Sequence, residues 1–408
     1  MVKAMKKTAK SILGHNEILE EKILESNNFS PMKNSQLAVE LKYEADHHHY
    51  IDVQEIEYIE FYVGNAYQAM NFFVNVLGFK AVAYAGLETG VKDRVSYVIE
   101  CEGVRLILTS SLIYDSPISE HVKRHGDSII DIAFIVDNIN NSLTKAVQSQ
   151  ARPIQEPTVL CYGQDQAIKA TIAGYGHLVH SLVQRHPSKK TFLPNYQPIQ
   201  CPVLPSQNHI VAIDHLAFCV EQGNLESWNY FYHQVFGFHE SHQEAIATQY
   251  SAMNSKVLRN DNGKIKFTIT EPAAGNCQSQ ITEFLTFNYG YGVQHLAFLS
   301  NNICQTVRFL CSNGIEFLQI PATYYNQLEK RLGHAIPEIK TFQELNILVD
   351  KDQTGYLMQA FTKPIQSRPT FFLEIIERKG AEGFGSGNIK ALFEAVESEQ
   401  RRRGNLKT

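Results

Sequence analysis

Two histidines occupy near-duplicate words, IDHLAF at 213–218 and VQHLAF at 293–298, and a single glutamate interrupts the apolar run FFLEII at 371–376. His295 follows His215 by 80 residues, and Glu374 follows His295 by 79. Two imidazoles and one carboxylate on strand-like segments are the donor set of a mononuclear non-haem iron(II) site. That set fills one face of an octahedron and leaves the other for substrate and oxygen. A lone histidine on a strand is more often a hydrogen-bonded core residue than a ligand. The duplicated surroundings, with a carboxylate at the matching place of a later strand, reverse that reading. A carboxylate buried among Phe and Ile costs on the order of several kcal/mol unless it is paired or bound to metal. Arg378 is the plain candidate partner, but four residues along a strand span about 13 Å. Zinc takes the same donors, usually from an HExxH helix, and the chain has no such motif. Iron(II) is the metal expected.

The elements that must hold these residues repeat. The segment 56–63 (IEYIEFYV) alternates as a strand, and 69–79 (AMNFFVNVLGF) reads as a helix stopping at Gly78. The same order returns as 213–220 (IDHLAFCV) and 228–238 (WNYFYHQVFGF), with Gly237 again before a Phe. Segments 130–139 and 294–303 match as strands leading into helices, and Ser181 in HLVHSLVQR corresponds to Glu374 in FFLEIIER. The expected architecture is α+β: two modules of repeated βαβββ units whose strands curl into open barrels. The first module, 54–186, has Tyr58, Asp131 and Ser181 where the second, 207–382, has the two histidines and the glutamate. Only the second should hold metal. The stretch 187–206, with Pro187, Pro194, Pro198, Pro202 and Pro205, reads as a linker that continues neither a helix nor a central strand.

Residues 1–53 read as an N-terminal extension. The run His47-His48-His49 in it is more often a solvated accident than a metal site. At the other end, 383–408 contains GFGSGNIK before a helix over 391–402. It resembles a dinucleotide loop, but no second strand follows to complete the unit. A gate that closes over the iron site is the better reading.

At 408 residues, with 44% hydrophobic and 19% charged residues, the chain can bury two or three globular cores. A net charge of −5 without basic blocks argues against a nucleic-acid or membrane partner. Seven scattered cysteines without a CxxC pair fit a reducing cytosol, and Lys3, Lys6, Lys7 and Lys10 precede no apolar stretch of a secretory signal. A cytoplasmic homo-oligomer, dimer or tetramer, is expected.

The runs FFLEIIERKGAEGFGSGNIKALFEAVESEQRRRGNL, SQITEFLTFNYGYGVQHLAF, IPATYYNQL and GYLMQAFTKPIQSRPT resemble the signature of the 4-hydroxyphenylpyruvate dioxygenase family, over about 54–404. The resemblance implies the vicinal-oxygen-chelate fold, one iron(II) per subunit, O₂, and a substrate that supplies its own 2-oxo acid. It puts His215, His295 and Glu374 on the family's iron ligands. Ser255, Gln280, Gln294 and Gln359 fall on its polar pocket positions, and Phe361, Phe372 and Phe384 on its aromatic wall. The family contains homogentisate-forming enzymes, which attack the ring, and 4-hydroxymandelate synthases, which hydroxylate the benzylic carbon. Where the first pattern reads Pro-Leu/Ile-Asn-Glu, this chain has Thr268-Ile269-Thr270-Glu271; where it reads Gly-Asn-Phe, this chain has Gly387-Asn388-Ile389. Thr268, Thr270 and Ile389 therefore resemble the mandelate-forming branch, and benzylic hydroxylation is the expected outcome. Homogentisate formation is the alternative, and a metal- or ligand-binding relative without turnover the remote one.

Overall fold

The computed structural model describes residues 49–162, 165–185, 196–199, 208–333 and 337–406. Of the 1–53 extension, residues 1–48, with His47 and His48, lie outside them, as does most of the linker; Ile51 and Val53 are buried in the core. Within the described residues each module repeats one unit twice. A strand enters a helix, and three further strands return to close against the first.

In the first module, β1 (Ile56–Tyr62) leads into the helix Ala66–Asn75 and then β2 (Lys80–Ala85), β3 (Arg94–Cys101) and β4 (Val104–Ser111). After the helix Pro117–His125, β5 (Ser128–Ile135), the helix Ile139–Gln148, β6 (Pro153–Tyr162), β7 (Asp165–Ala173) and β8 (Val179–Arg185) repeat the pattern. The second module runs β10 (Ile210–Cys219), the helix Leu225–Phe236, β11 (His239–Ala247), β12 (Ala252–Arg259) and β13 (Lys266–Ala273). The helix Gln280–Asn288 then leads to β14 (Gly292–Ser300), the helix Ile303–Ser312, and β15 (Leu348–Lys351), β16 (Tyr356–Phe361) and β17 (Phe372–Lys379). Short helices Ala322–Asn326, Leu328–Leu332 and Ile339–Glu344 are inserted before β15. The helix Ser386–Arg402 follows β17.

Local chemistry sets these boundaries. Asn65 caps Ala66–Asn75 by accepting from the Gln68 amide. Gly237 ends Leu225–Phe236 in the left-handed region (φ 67°), and a Cβ there would lie 2.4 Å from the Tyr50 ring, so only glycine fits.

Both sheets have the same topology. The first orders its strands β6-β7-β8-β5-β1-β4-β3-β2, and the second β11-β12-β13-β10-β14-β17-β16-β15. The leading strands of the two units meet antiparallel in the middle (β1 with β5, β10 with β14), and each pairs parallel with the last strand of its own unit. This is the expected α+β arrangement of paired βαβββ units. The linker departs from a plain connection: Gln197–Pro198 forms β9, pairing with β2 at the sheet edge. Pro198 is tolerated there because an edge position needs no further amide. The C-terminal helix begins at Ser386 rather than near residue 391, which places Ile389 inside it.

One apolar cluster runs through both modules. Phe79 meets Phe298 at 5.7 Å and Phe134 meets Phe236 at 5.2 Å between ring centroids. Tyr232 and Ile132 are joined through His180, which bonds the Ile132 carbonyl at 3.1 Å and the Tyr232 hydroxyl at 3.1 Å. Among the described residues no helix is long and apolar enough to cross a membrane.

Candidate metal centre

Strand register brings the triad together. His215 on β10 lies opposite Ala297 on β14, which lies beside Glu374 on β17, which pairs with Phe361 on β16. The adjacent row of the same face runs Val257, Thr268, Ala217, His295 and Phe372. Residues directly across a sheet share a face, so the three polar groups point into one barrel. The alanines of the two duplicate words, Ala217 and Ala297, stand between them and keep the space open.

The ligand atoms converge. His215 Nε2 lies 3.2 Å from Glu374 Oε2, and His295 Nε2 lies 3.5 Å from the same oxygen. One donor atom from each of the three residues falls within 4.8 Å of the others. Adjacent ligands of an octahedral metal stand about 3 Å apart at bond lengths of about 2.1 Å. The donor set therefore fits a borderline divalent cation. All three residues are buried, Glu374 to 1% exposure.

The surroundings hold each ligand in position. His215 Nδ1 donates to Asp214 Oδ1 at 2.7 Å, which leaves Nε2 as the lone-pair nitrogen facing Glu374. Arg378 clamps Asp214 with Nε to Oδ2 at 2.6 Å and Nη2 to Oδ1 at 2.8 Å. Burial alone would raise the Asp214 carboxyl, but the Arg378 guanidinium and the His215 N–H hold it well below the usual range. Burial also pulls on both imidazoles. It is outweighed at His215 by Glu374 and Asp214, so that pKa is raised, and reinforced at His295 by the charge of His215, so that one falls well below its ordinary value. Gln359 donates from Nε2 to Glu374 Oε1 at 3.0 Å, and its own oxygen accepts from Asn388 Nδ2 at 2.8 Å. Asn388 Oδ1 accepts from Tyr324 at 2.7 Å, and Tyr324 accepts from Arg331 at 2.8 Å. A hydrogen-bonded chain thus ties the C-terminal helix to the carboxylate.

Of the pocket residues expected from sequence, Gln359, Phe361, Phe372 and Phe384 touch the triad. Phe372 stacks on His295 with centroids 4.8 Å apart, Phe384 meets His215 edge-on at 4.9 Å, and Phe361 lies 6.4 Å from His295. Ser255, Thr268 and Thr270 share the concave face, since Ser255 pairs with Thr270 and Thr270 with Cys219. Thr270 spends its hydroxyl on the Phe218 carbonyl at 2.9 Å. Thr268 Oγ1 is buried and has no hydrogen-bond partner among the described residues. Gln280 opens the helix Gln280–Asn288 and Gln294 lies on β14 beside His295, both buried. Ile389 packs against the cluster that contains Cys219, Met253, Ile281 and Phe393, and Cys219 Sγ lies 3.7 Å from Thr270 Oγ1.

Asp214, Arg378, Asn388 and Tyr324 were not singled out as site residues. The signal for Asp214 lies in the first duplicate word, as a charge next to the ligand. Arg378 does not reach Glu374, as strand geometry requires, and serves Asp214 instead. The glycine-rich segment binds protein carboxylates. Gly383 donates to Asp352 at 2.7 Å and Gly387 to Asp350 at 2.8 Å, so its amides are not a phosphate cradle.

The first module fills the equivalent place differently. Tyr58 donates to Asp131 at 3.2 Å, Ser181 donates to the same carboxylate, and Lys169 Nζ stands 3.5 Å from it. An ammonium group there supplies the positive charge that a metal would bring to the second barrel.

A family model for the glyoxalase/bleomycin resistance protein/dioxygenase superfamily matches residues 212–357, the half that carries His215 and His295. A 4-hydroxyphenylpyruvate dioxygenase from Neurospora crassa is 40% identical over 384 residues, covering 86% of this chain and 92% of that protein. The protein of the same name from Danio rerio is 39% identical, covering 86% and 91%. A solved structure of a triple mutant of 4-hydroxymandelate synthase from Streptomyces coelicolor superposes with a TM-score of 0.77 at 37% identity, covering 86% of this chain and 100% of that one.

Proposed function

Because the chain belongs to the 4-hydroxyphenylpyruvate dioxygenase family, we propose that it is an iron(II)-dependent dioxygenase that decarboxylates and hydroxylates 4-hydroxyphenylpyruvate. The observation that carries this reading is the convergence of two neutral-capable imidazole nitrogens on one oxygen of Glu374 inside an aromatic-walled barrel. Bound iron(II) would activate O₂ and template the 2-oxo acid through its open positions. The chain's own residues do the rest. Asp214 fixes the His215 ring, and Gln359 occupies Glu374 Oε1 so that Oε2 faces the histidines. Phe361, Phe372 and Phe384 line the site with apolar surface, which excludes water and packs against an aromatic ring. The buried hydroxyl of Thr268, without a partner, stands on the row of His295, where a polar group of the substrate would satisfy it.

The named relatives favour ring hydroxylation to homogentisate as the outcome. A second reading, benzylic hydroxylation to 4-hydroxymandelate, is favoured by Thr268, Thr270 and Ile389, and by the likeness to the Streptomyces synthase. Ile389 gives the ring more room than a phenylalanine would, and a shift of about 1 Å redirects a reactive oxidant. The two products are isomers. Incubation with iron(II), ascorbate, 4-hydroxyphenylpyruvate and O₂ followed by chromatography separates them. Homogentisate as the sole product supports the first reading, and 4-hydroxymandelate replaces it with the second. Absence of both, without CO₂ release, overturns the assignment.

A further inference from the structure

A second cluster of metal-type donors lies outside the barrel. His121 and His125 sit one turn apart on the helix Pro117–His125, and His177 comes from the turn before β8. One ring nitrogen of each falls within 4.8 Å of the other two. Ring centroids are 4.0 Å apart for His125 and His177 and 4.8 Å for each remaining pair.

Hydrogen bonding assigns the lone pairs. His125 Nδ1 faces the Asn288 carbonyl at 2.6 Å, and a carbonyl only accepts, so Nδ1 carries the proton and Nε2 is left as a donor atom for metal. His121 Nε2 lies 2.8 Å from Ser128 Oγ, whose hydroxyl donates to the Gly126 carbonyl. Nε2 then carries the proton and Nδ1 the lone pair. His177 Nε2 is buried without any hydrogen-bond partner among the described residues. Outer hydrogen bonds from ring N–H to carbonyl and hydroxyl oxygen are the usual support of ligating histidines.

We propose that His121, His125 and His177 form a second metal site that holds a divalent d-block cation such as Zn²⁺. Three imidazoles and no carboxylate exclude the hard cations, which require oxygen ligands. Tetrahedral ligands about 2.1 Å from zinc stand about 3.4 Å apart, so nitrogens that lie within 4.8 Å of one another would close by at most about 1.4 Å. A solvent molecule would complete the set from the half-buried side, where His121 and His177 lie. All three histidines belong to the first module, and the site would brace its side of the seam with the second. Its helix belongs to the first, whereas Asn288, bonded to His125, ends a helix of the second. Arg368 already bridges the same place, bonding the carbonyls of Lys123, Arg124 and Phe287.

The test is the zinc stoichiometry of the full chain, stripped with chelator, dialysed against Zn²⁺ and measured by mass spectrometry. The wild type is expected to hold one equivalent more than His177→Ala and one more than His121→Gln. Both variants should keep the equivalent that Glu374→Ala removes, which shows that they remain folded. The His47–His49 run is common to every variant and cancels in the difference. As a second readout, Zn²⁺ should raise the melting temperature of Glu374→Ala and leave that of Glu374→Ala/His177→Ala unchanged. Equal stoichiometry in the wild type and both histidine variants would overturn the proposal.

Discussion

Glu374 is held by Gln359 on one oxygen, and its other oxygen faces the two imidazole nitrogens across the space a metal would bridge. Glu374→Gln removes the only ligand charge in the set, and we expect iron binding to fall by at least tenfold in a titration of the stripped protein. Asp214→Asn keeps the shape but weakens the bond that orients His215, with an expected loss of about 10- to 100-fold in iron affinity or turnover. Unchanged affinity in that variant would show that His215 needs no such support. The product question also belongs to single residues. On the second reading, Ile389→Phe adds bulk to the cluster around Cys219, and chromatography should show product moving from 4-hydroxymandelate toward homogentisate; an unchanged ratio would remove Ile389 from the product choice. The ligands were legible in the sequence because duplicated words expose them. The supports were not, because Asp214 and Arg378 are 164 residues apart and only the strand order β10-β14-β17 brings them into contact.

The C-terminal helix joins the site through Asn388, which sits between Gln359 and Tyr324. Asn388→Leu would leave the buried Gln359 oxygen without its donor, at a cost of about 1–3 kcal/mol, read as a lower melting temperature together with reduced turnover. A fall in stability with turnover intact would separate the helix from the chemistry. Gly387 has a tighter constraint, since a Cβ there would lie 2.4 Å from Arg331 Nη1 and 2.9 Å from Asp350 Oδ2. The helix pattern was readable from Ala391 onward. Its earlier start was not, because Gly385, Ser386 and Gly387 have poor helix propensity, and the amide bonds that compensate come from the distant Asp350. The βαβββ repeat, by contrast, was visible as a recurring strand-helix-glycine order. The short strand at Pro198 was hidden because proline argues against pairing everywhere except at an edge.

At the scale of the whole molecule, one apolar core spans a metal-type barrel and a barrel whose equivalent position is filled by Tyr58, Asp131, Ser181 and Lys169. His180 links the two across their interface, and burial lowers its pKa from 6.5 to about 4. Between those values the unfolded chain takes a proton that the folded chain refuses. Stability from this group is therefore present above pH 6.5 and is lost progressively as pH falls toward 4. Melting temperatures across that range should decline less steeply for His180→Gln than for the wild type. The proposed chemistry belongs to the second barrel. Its most direct test is O₂ uptake and CO₂ release from 4-hydroxyphenylpyruvate by the iron(II)-loaded chain, beside a His215→Ala variant. Equimolar O₂ consumed and CO₂ released by the wild type, and neither by the variant, is the result predicted. No uptake by the wild type, or equal uptake by both, would contradict it.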